Sequence, residues 1–363
     1  MMNKKIKLFD PVINQLEEKK VLEVLRSGNW ASGAGKGNVK KFEDEFQNYV
    51  NSDECLAVNS GTAALNIALS LMNLKNRHVI LPSMSFVSTP NAVILNGGIP
   101  IFAEIEPETL CINPESVEKL LTKKTKLILP VHFGGMPCKL KEIEDIIKKN
   151  SDCCIIEDAA HAAGTKYRKK KIGSHSFGSC FSFHPVKNLA MPTGGAITIN
   201  DEKHEKIRKE IEAKRWCGIT DRKSSEYNVK NIGNNYYMNE ISAAIGLVQL
   251  KKLDKMNNQR RNIAKIYSKE INLENKMPFD ENCAYHLYWI RVKNQKKFRK
   301  ILEEKNIETG THYRAIHTFD FYKKFKKAPI TEKISKEIIT IPIHPNLKIH
   351  EIDKIVSTVN SLS

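Results

Sequence analysis

The chain has 363 residues, with 58 Lys and Arg against 41 Asp and Glu, a formal net charge of +17, and 41% hydrophobic and 27% charged residues. Single cores stop growing near ~250–300 residues, so two packed domains are expected, and the composition excludes a disordered or fibrous protein. No apolar run reaches the ~18 residues of a spanning helix and the basic start lacks a signal-type apolar core, so a soluble cytoplasmic protein is expected.

The eight cysteines show no metal-type spacing and read as reduced, mostly buried thiols. The positive charge is spread over polar helix faces such as KKFRKILEEKN, with acidic neighbours at i,i+3 or i,i+4. No zinc-finger, RNP-like or basic-region pattern accompanies it, so a nucleic-acid partner is not expected.

Apolar strand runs alternate with helix-period segments through the first two-thirds of the chain. Val39, Phe42, Phe46 and Val50 share a helical face; CLAVN (55–59) reads as a strand and SGTAALNIALSLMNL opens a helix. Strand HVILP (78–82), helix SFVSTPNAVILN and strand IPIFAEI (99–105) follow. Asn113 and Pro114 start the next helix as cap and first residue. Strand KLILPVH (126–132), helix 139–150 and strand CCIIED (153–158) come next. This order predicts an α/β fold with a mostly parallel sheet covered by helices on both faces. Beyond Gly195, AITIN (196–200) reads as a strand, the polar stretch TDRKSSEYNVKNIGNN as an excursion, and Asn239 to Glu270 as a long helix. Residues 1–245, with an N-terminal helical segment, are expected to form the large domain and residues 246–363 a smaller α+β domain.

Ligands of such sheets gather beyond the C-terminal strand ends. Three polar groups lie there. Ser60, Gly61 and Thr62 stand between a strand and a helix N-terminus, where N–H groups and a hydroxyl can cradle a phosphate or merely cap the helix. Asp158 ends an apolar strand, where a carboxylate needs a partner; it either caps a following helix AAHAAG or faces a protonated ring nitrogen. His161 lies three residues on, as packed histidine or site residue. Lys187 follows CFSFHP, in which Phe181 and Phe183 face the core, Ser182 points the other way and Pro185 ends the strand. Desolvation in that turn would lower its pKa towards nucleophilicity. A phosphate cradle, a strand-end carboxylate and a loop lysine together meet the needs of pyridoxal phosphate (PLP).

With NSGTAAL, LPSMSFVSTPNAVILNGGIPIF, LTKKTKLILPVHFGG, IEDAAHAAGTKYRKKKIGS, CFSFHPVKN, MNEISAAIGLVQL and GTHYRAIHT in one order, the chain resembles the DegT/StrS-type nucleotide-sugar aminotransferases over nearly its whole length. The resemblance implies the fold-type I architecture of PLP-dependent transferases. It also implies that Lys187 takes the cofactor aldehyde, Asp158 pairs with the ring nitrogen, His161 lies beside the ring and Phe86 stacks on it. Thr62, Ala63 and Ser182 fall at phosphate-contacting positions, and Asn235 of GNNYYM reaches the phosphate of a neighbouring subunit in a homodimer. The implied reaction moves an amino group from L-glutamate to a nucleotide-linked keto-sugar, with C4 favoured by GTHYRAIHTFDFY, in amino-sugar and surface-polysaccharide biosynthesis. Tyr237, Tyr313 and His317 are candidates for the acceptor pocket. The chain departs from the family pattern at Pro192, Thr193, Cys217 and Tyr237, around the substrate. Two rival readings are a sugar dehydratase of the same fold, whose members replace the lysine with histidine, and a non-catalytic regulatory or nucleic-acid-binding protein on this scaffold.

Overall fold

The computed structural model describes residues 5–31, 33–148, 153–325 and 327–362. Helix α1 (Gln15–Ser27) begins in a capping box in which Asn14 and Glu17 bond each other's backbone N–H. Helix α2 (Asn38–Val50) follows, and its buried face includes Val39, Phe42, Phe46 and Val50.

The next elements alternate. They are β1 (Glu54–Val58), α3 (Gly61–Ser70), β2 (His78–Pro82), α4 (Ser88–Leu95), β3 (Ile99–Ala103), α5 (Pro114–Leu120), β4 (Thr125–Ile128), α6 (Leu140–Ile147) and β5 (Cys154–Asp158). Asn113 caps α5 by accepting from Ser116 N–H, with Pro114 in the first turn. Residues 149 and 150, the end of the helix expected over 139–150, lie outside the described residues. A short ladder of β6 (Lys166–Tyr167) and β7 (Lys170–Lys171) precedes β8 (Gly178–Ser182), β9 (Gly195–Ile199) and α7 (His204–Arg215). The polar excursion is a solvent-exposed hairpin, β10 (Ile219–Lys223) and β11 (Glu226–Val229).

Helix α8 (Glu240–Glu270) starts at Asn239, whose side chain accepts from Ser242 N–H at 2.7 Å. After it come β12 (Tyr288–Arg291), α9 (Gln295–Glu304), α10 (Pro329–Ser335), β13 (Ile338–Ile341) and α11 (Ile349–Asn360), with β12 and β13 paired antiparallel.

Seven strands form the main sheet in the order β1-β9-β8-β5-β4-β2-β3. The β8, β5, β4, β2 and β3 neighbours run parallel, while β9 is antiparallel to both β1 and β8. Strand alternation divides the core between the two faces. Leu56, Val58, Val79, Leu81, Cys180 and Ile197 pack in the cluster with α3 and α4, whereas Cys55, Ala57, Ile80 and Phe181 join the cluster with α2 and α8. On that second face Phe46 meets Phe181 and Phe183 edge-on at centroid distances of 5.0 and 5.2 Å. Those two phenylalanines are fully buried, as the sequence spacing predicts.

One buried ion pair ties α2 to this sheet. Glu43 accepts from Arg215 Nη1 at 2.5 Å and from Ala57 N–H at 3.0 Å, while Arg215 also donates to Ala57 O at 2.8 Å. Glu43 is 0% and Arg215 1% exposed. Removing one partner of such a pair leaves an uncompensated buried charge, so Glu43→Gln is expected to cost about 3–5 kcal/mol of stability. Urea unfolding of the two proteins would show it as a lower midpoint with an unchanged slope.

Candidate active site

The C-terminal ends of β1, β5 and β8 open onto one cavity of about 360 Å³. Ser60, Gly61 and Thr62 line it from the start of α3, Asp158 and His161 from the end of β5, and Ser182 and Lys187 from the end of β8. Phe86, 57% exposed, stands at the rim, and Tyr313 completes the wall from the C-terminal part of the chain. Two glycines permit this approach of strand to helix. A Cβ on Gly61 would lie 2.7 Å from Ser182 Cβ, and one on Gly195 would lie 2.5 Å from the Ser60 carbonyl carbon.

At the α3 N-terminus, Ser60 is the cap, accepting from Ala63 N–H at 3.1 Å. That bond occupies the amide of Ala63, which is itself buried away from the cavity wall. The amides of Gly61 and Thr62 have no intrahelical acceptor by position. Thr62 Oγ1 lies 2.8 Å from Ser88 Oγ, and both hydroxyls border the cavity together with Ser182. Hydroxyls and first-turn amides at a positive helix end form a seat for a phosphate.

No helix follows β5. The segment AAHAAG forms two turns, because Ala162 and Thr165 N–H bond carbonyls three residues back and Gly164 takes φ +90°. Asp158 Oδ1 accepts from Ala160 N–H at 3.2 Å inside the first turn. Its Oδ2 accepts from Thr89 Oγ1 at 2.8 Å, so Thr89 must in turn accept from Ser85 Oγ at 2.7 Å. Burial pushes the Asp158 carboxyl up from its ordinary range, against those hydrogen bonds and the Lys187 charge. Its neighbour Glu157 points to the opposite face and moves the other way. Burial raises it too, but His132 donates to Oε2 at 2.7 Å, and Ser179 Oγ and Ser176 N–H donate to Oε1, so its pKa falls overall. Asp158 is the carboxylate of this pair left without a cationic partner at hydrogen-bond distance.

Lys187 sits in a tight turn in which its N–H bonds His184 O at 2.8 Å. The turn is fastened by Asn188, whose Nδ2 donates to Asn257 Oδ1 at 2.9 Å and to Ala284 O at 2.7 Å. Asn257, on α8, donates in turn to Ala163 O at 2.9 Å. Burial lowers the Lys187 ammonium to about 8, with Asp158 partly opposing the shift. A large fraction of this amine is therefore neutral near pH 8, as a nucleophile requires.

His161 is 5% exposed and stacks on Tyr313 at 6.0 Å. Gly134 N–H donates to its Nδ1 at 3.2 Å, so the neutral ring carries its proton on Nε2, facing Tyr313 Oη at 3.3 Å. Burial first, and the Lys187 charge second, keep it well below the ordinary imidazole range. His286, which does not line the cavity, approaches Lys187 Nζ with Nε2 at 3.4 Å, whereas His312 lines it, its pKa lowered by burial to about 4. Neither histidine, nor Thr89, was singled out from the sequence; only the fold brings them to the strand ends.

Besides Ala63, whose amide Ser60 takes, three expected residues stand outside this wall. His317 is 3% exposed, with Nδ1 2.6 Å from Ser83 Oγ and Nε2 3.4 Å from Glu332, so the structure does not bring it into the acceptor cavity. Asn235 is exposed, its carbonyl accepting from Asn59 Nδ2 at 3.1 Å, and Tyr237 bridges Val58. Neither lines the cavity of its own chain.

The residues present fit pyridoxal phosphate. A cation-free carboxylate matches a protonated ring nitrogen, a depressed lysine matches an aldehyde, and the α3 start matches a phosphate. Fold and site thus define a PLP-dependent transferase of fold type I. Residues 11–360 match the model of the DegT/DnrJ/EryC1/StrS aminotransferase family, and the chain belongs to that family. It is 34% identical to the spore coat polysaccharide biosynthesis protein SpsC of Bacillus subtilis, with 97% of this chain and 95% of SpsC covered. The putative sugar aminotransferase Spr1654 of Streptococcus pneumoniae, in its PMP form, superposes with a TM-score of 0.93 at 26% identity, covering 99% of this chain and 97% of that one. PseC of Helicobacter pylori, an aminotransferase involved in the biosynthesis of pseudoaminic acid, gives 0.91 at 27% identity, with 99% of both chains covered. The enzyme is a PLP-dependent aminotransferase. No described helix is long and apolar enough to cross a membrane.

Proposed function

We propose that this enzyme transfers the amino group of L-glutamate to a nucleotide-linked keto-sugar, with C4 as the carbon aminated, in the making of an amino sugar for a surface polysaccharide. The supporting observation is the meeting of a lysine of depressed pKa and a cation-free carboxylate in one cavity. The names of SpsC and PseC point to the same kind of pathway.

When bound, PLP supplies a carbonyl carbon that exchanges oxygen for nitrogen and a ring that takes up an electron pair. Around it the side chains divide the work. Asp158, held by Thr89 and the Ala160 amide, keeps a proton on the ring nitrogen. Lys187 carries the proton between the donor's α-carbon and the carbon that receives the nitrogen. Phe86 and His161 would hold the ring, and Ser182, Thr62 and the Gly61 amide would hold the phosphate. Tyr313 faces the acceptor sugar. Residues 1–245 serve as the cofactor-binding domain and 246–363 as the smaller domain.

Asn235 completes the phosphate seat of a second copy, which makes the working form a homodimer. Its exposed position beside Ile232, which is 93% exposed, supports that reading. So does the apolar groove formed by Ile13, Val21, Leu22, Met191, Pro192 and Ile245.

The test is to load the protein with PLP, add glutamate and follow the visible spectrum, then screen nucleotide-linked keto-sugars for glutamate-dependent amination. A spectrum that glutamate leaves unchanged defeats the proposal. Loading itself has an expected pH dependence. Only neutral Lys187 attacks an aldehyde, so the rate at which cofactor-free protein takes up PLP should rise about tenfold per pH unit until it levels off above about 8. Stopped-flow absorbance across pH 6 to 10 measures this directly.

A further inference from the structure

Among the described residues, Lys187 Nζ has one hydrogen-bond acceptor within reach, Nε2 of His286 at 3.4 Å. An ammonium has three donors and no acceptor, so Nε2 presents its lone pair and the ring proton resides on Nδ1. Burial first, and the Lys187 charge second, keep His286 well below the ordinary imidazole range, so the lone pair is present throughout the working pH range. His161 has none to offer. Its Nδ1 accepts from Gly134 N–H, and its Nε2 carries the proton towards Tyr313.

The fold places His286 for this contact. Its ring stacks on Phe9 at a centroid distance of 5.6 Å, with the planes 17° apart, and lies 4.5 Å from the His161 ring. Its backbone is fastened on both sides. Two residues before it, Ala284 O accepts at 2.7 Å from the Asn188 amide, which directly follows Lys187 in the chain. One residue after it, Leu287 N–H donates to Gly134 O at 3.3 Å. Lysine and histidine are therefore held in one frame, although 99 positions separate them in the sequence. Lys187 lines the cofactor cavity and His286 does not, so the imidazole meets the amine from outside that cavity. The other titratable and charged groups around the amine are Asp158 and His161 beyond β5, His184 in its own turn and His312. Arg260, His344 and Asp10 stand with His286 in a second wall beside Lys187. Of all these, His286 is the one that takes a hydrogen bond from the amine.

We propose that His286 is the positioning residue of Lys187: by accepting one N–H through Nε2 it fixes the rotation of the amine and turns the remaining valences, the lone pair among them, into the cavity. The proposal rests on Lys187 as the nucleophile and is independent of which sugar is aminated. A nucleophile must meet its target with its lone pair aligned, and a long, flexible side chain loses that alignment unless its end is held. The same bond stabilises the ammonium, so His286 also helps to set the pH at which the amine becomes neutral.

Two variants of the cofactor-free protein test it through the pH dependence of PLP uptake. His286→Phe keeps a ring against Phe9 but removes the acceptor. The ammonium then loses its hydrogen bond, so the midpoint of uptake should move down by about 0.5–1 pH unit, and the plateau rate should fall about tenfold. His286→Gln, whose Oε1 accepts, should return both towards the wild type. A purely structural role would lower Tm in the two variants and leave the midpoint where it is. A wild-type midpoint in His286→Phe, or equal shifts in the two variants, overturns the proposal. Uptake by Lys187→Ala at the wild-type rate defeats the assignment of Lys187 itself, and the proposal with it. Should His286→Phe fail to fold, a neutron structure of the cofactor-free wild type decides: deuterium on Nδ1 with Nε2 bare supports the contact, and deuterium on Nε2 overturns it.

Discussion

Lys187→Ala is expected to lower glutamate-dependent amino transfer by at least about 10⁴-fold, because in the proposed reaction one side chain serves as both nucleophile and proton carrier. Lys187→Arg should be equally inactive. It keeps the charge and much of the length, but a guanidinium does not give up its proton at working pH. Steady-state assays with an excess of PLP separate this from simple loss of cofactor. The cofactor-free proteins supply an independent check. Lys187 has a folded pKa near 8 against an ordinary value of 10.5, so the unfolded chain binds the proton more tightly. The lysine therefore opposes folding fully below pH 8, and the penalty fades as pH rises towards 10.5. Cofactor-free Lys187→Ala should accordingly match or exceed the wild type in Tm at pH 7, with the difference vanishing in alkali.

Asp158→Asn should preserve the fold and the bond from Thr89, yet reduce the rate by about 10²–10³-fold, since an amide cannot hold a proton on the ring nitrogen electrostatically. Its stability signature has the opposite pH sense to that of the lysine. The folded pKa of Asp158 is raised by burial, so protonation favours the native state. The carboxylate costs nothing below the unfolded carboxyl pKa of about 4 and costs most once pH exceeds the folded value. Cofactor-free Asp158→Asn should then melt above the wild type at pH 7 and together with it in acid. A variant that melts lower at pH 7 would show that Asp158 is already paired without the cofactor.

Much of this was legible because local chemistry is explicit along the chain. HVILP matches β2 in both bounds, and Asn113 and Asn239 cap the helices they were expected to begin. The errors have local causes. The run KLILPVH stops being a strand at Ile128, two residues before Pro130, which has no N–H to give a ladder. AAHAAG has helical composition, but the backbone turns at Gly164 and the Ala163 carbonyl goes to Asn257 instead. Nothing in AITIN says that β9 runs against its neighbours, because direction is a property of the connection and not of the strand.

The site divides along the same line. Lys187, Asp158 and the Ser60 to Thr62 turn announce themselves by position at strand ends. His286, His312 and Thr89 do not, since a single histidine or threonine far along the chain carries no mark of its spatial neighbours. His317 illustrates the converse. It stands in a motif-like stretch, yet its ring packs on Phe102 and hydrogen-bonds Ser83.

Asn257 accepts from the lysine turn through one end of its amide and donates to the turn after Asp158 through the other. The gap between amine and carboxylate is thus gauged by a single planar group on a helix, and not by strand register alone. Small shifts in sheet packing, of the kind that accumulate as cores repack over evolutionary time, move both turns together. An aminotransferase built this way can exchange its apolar core and its acceptor pocket for those of a new sugar while the reacting distance is carried forward unchanged.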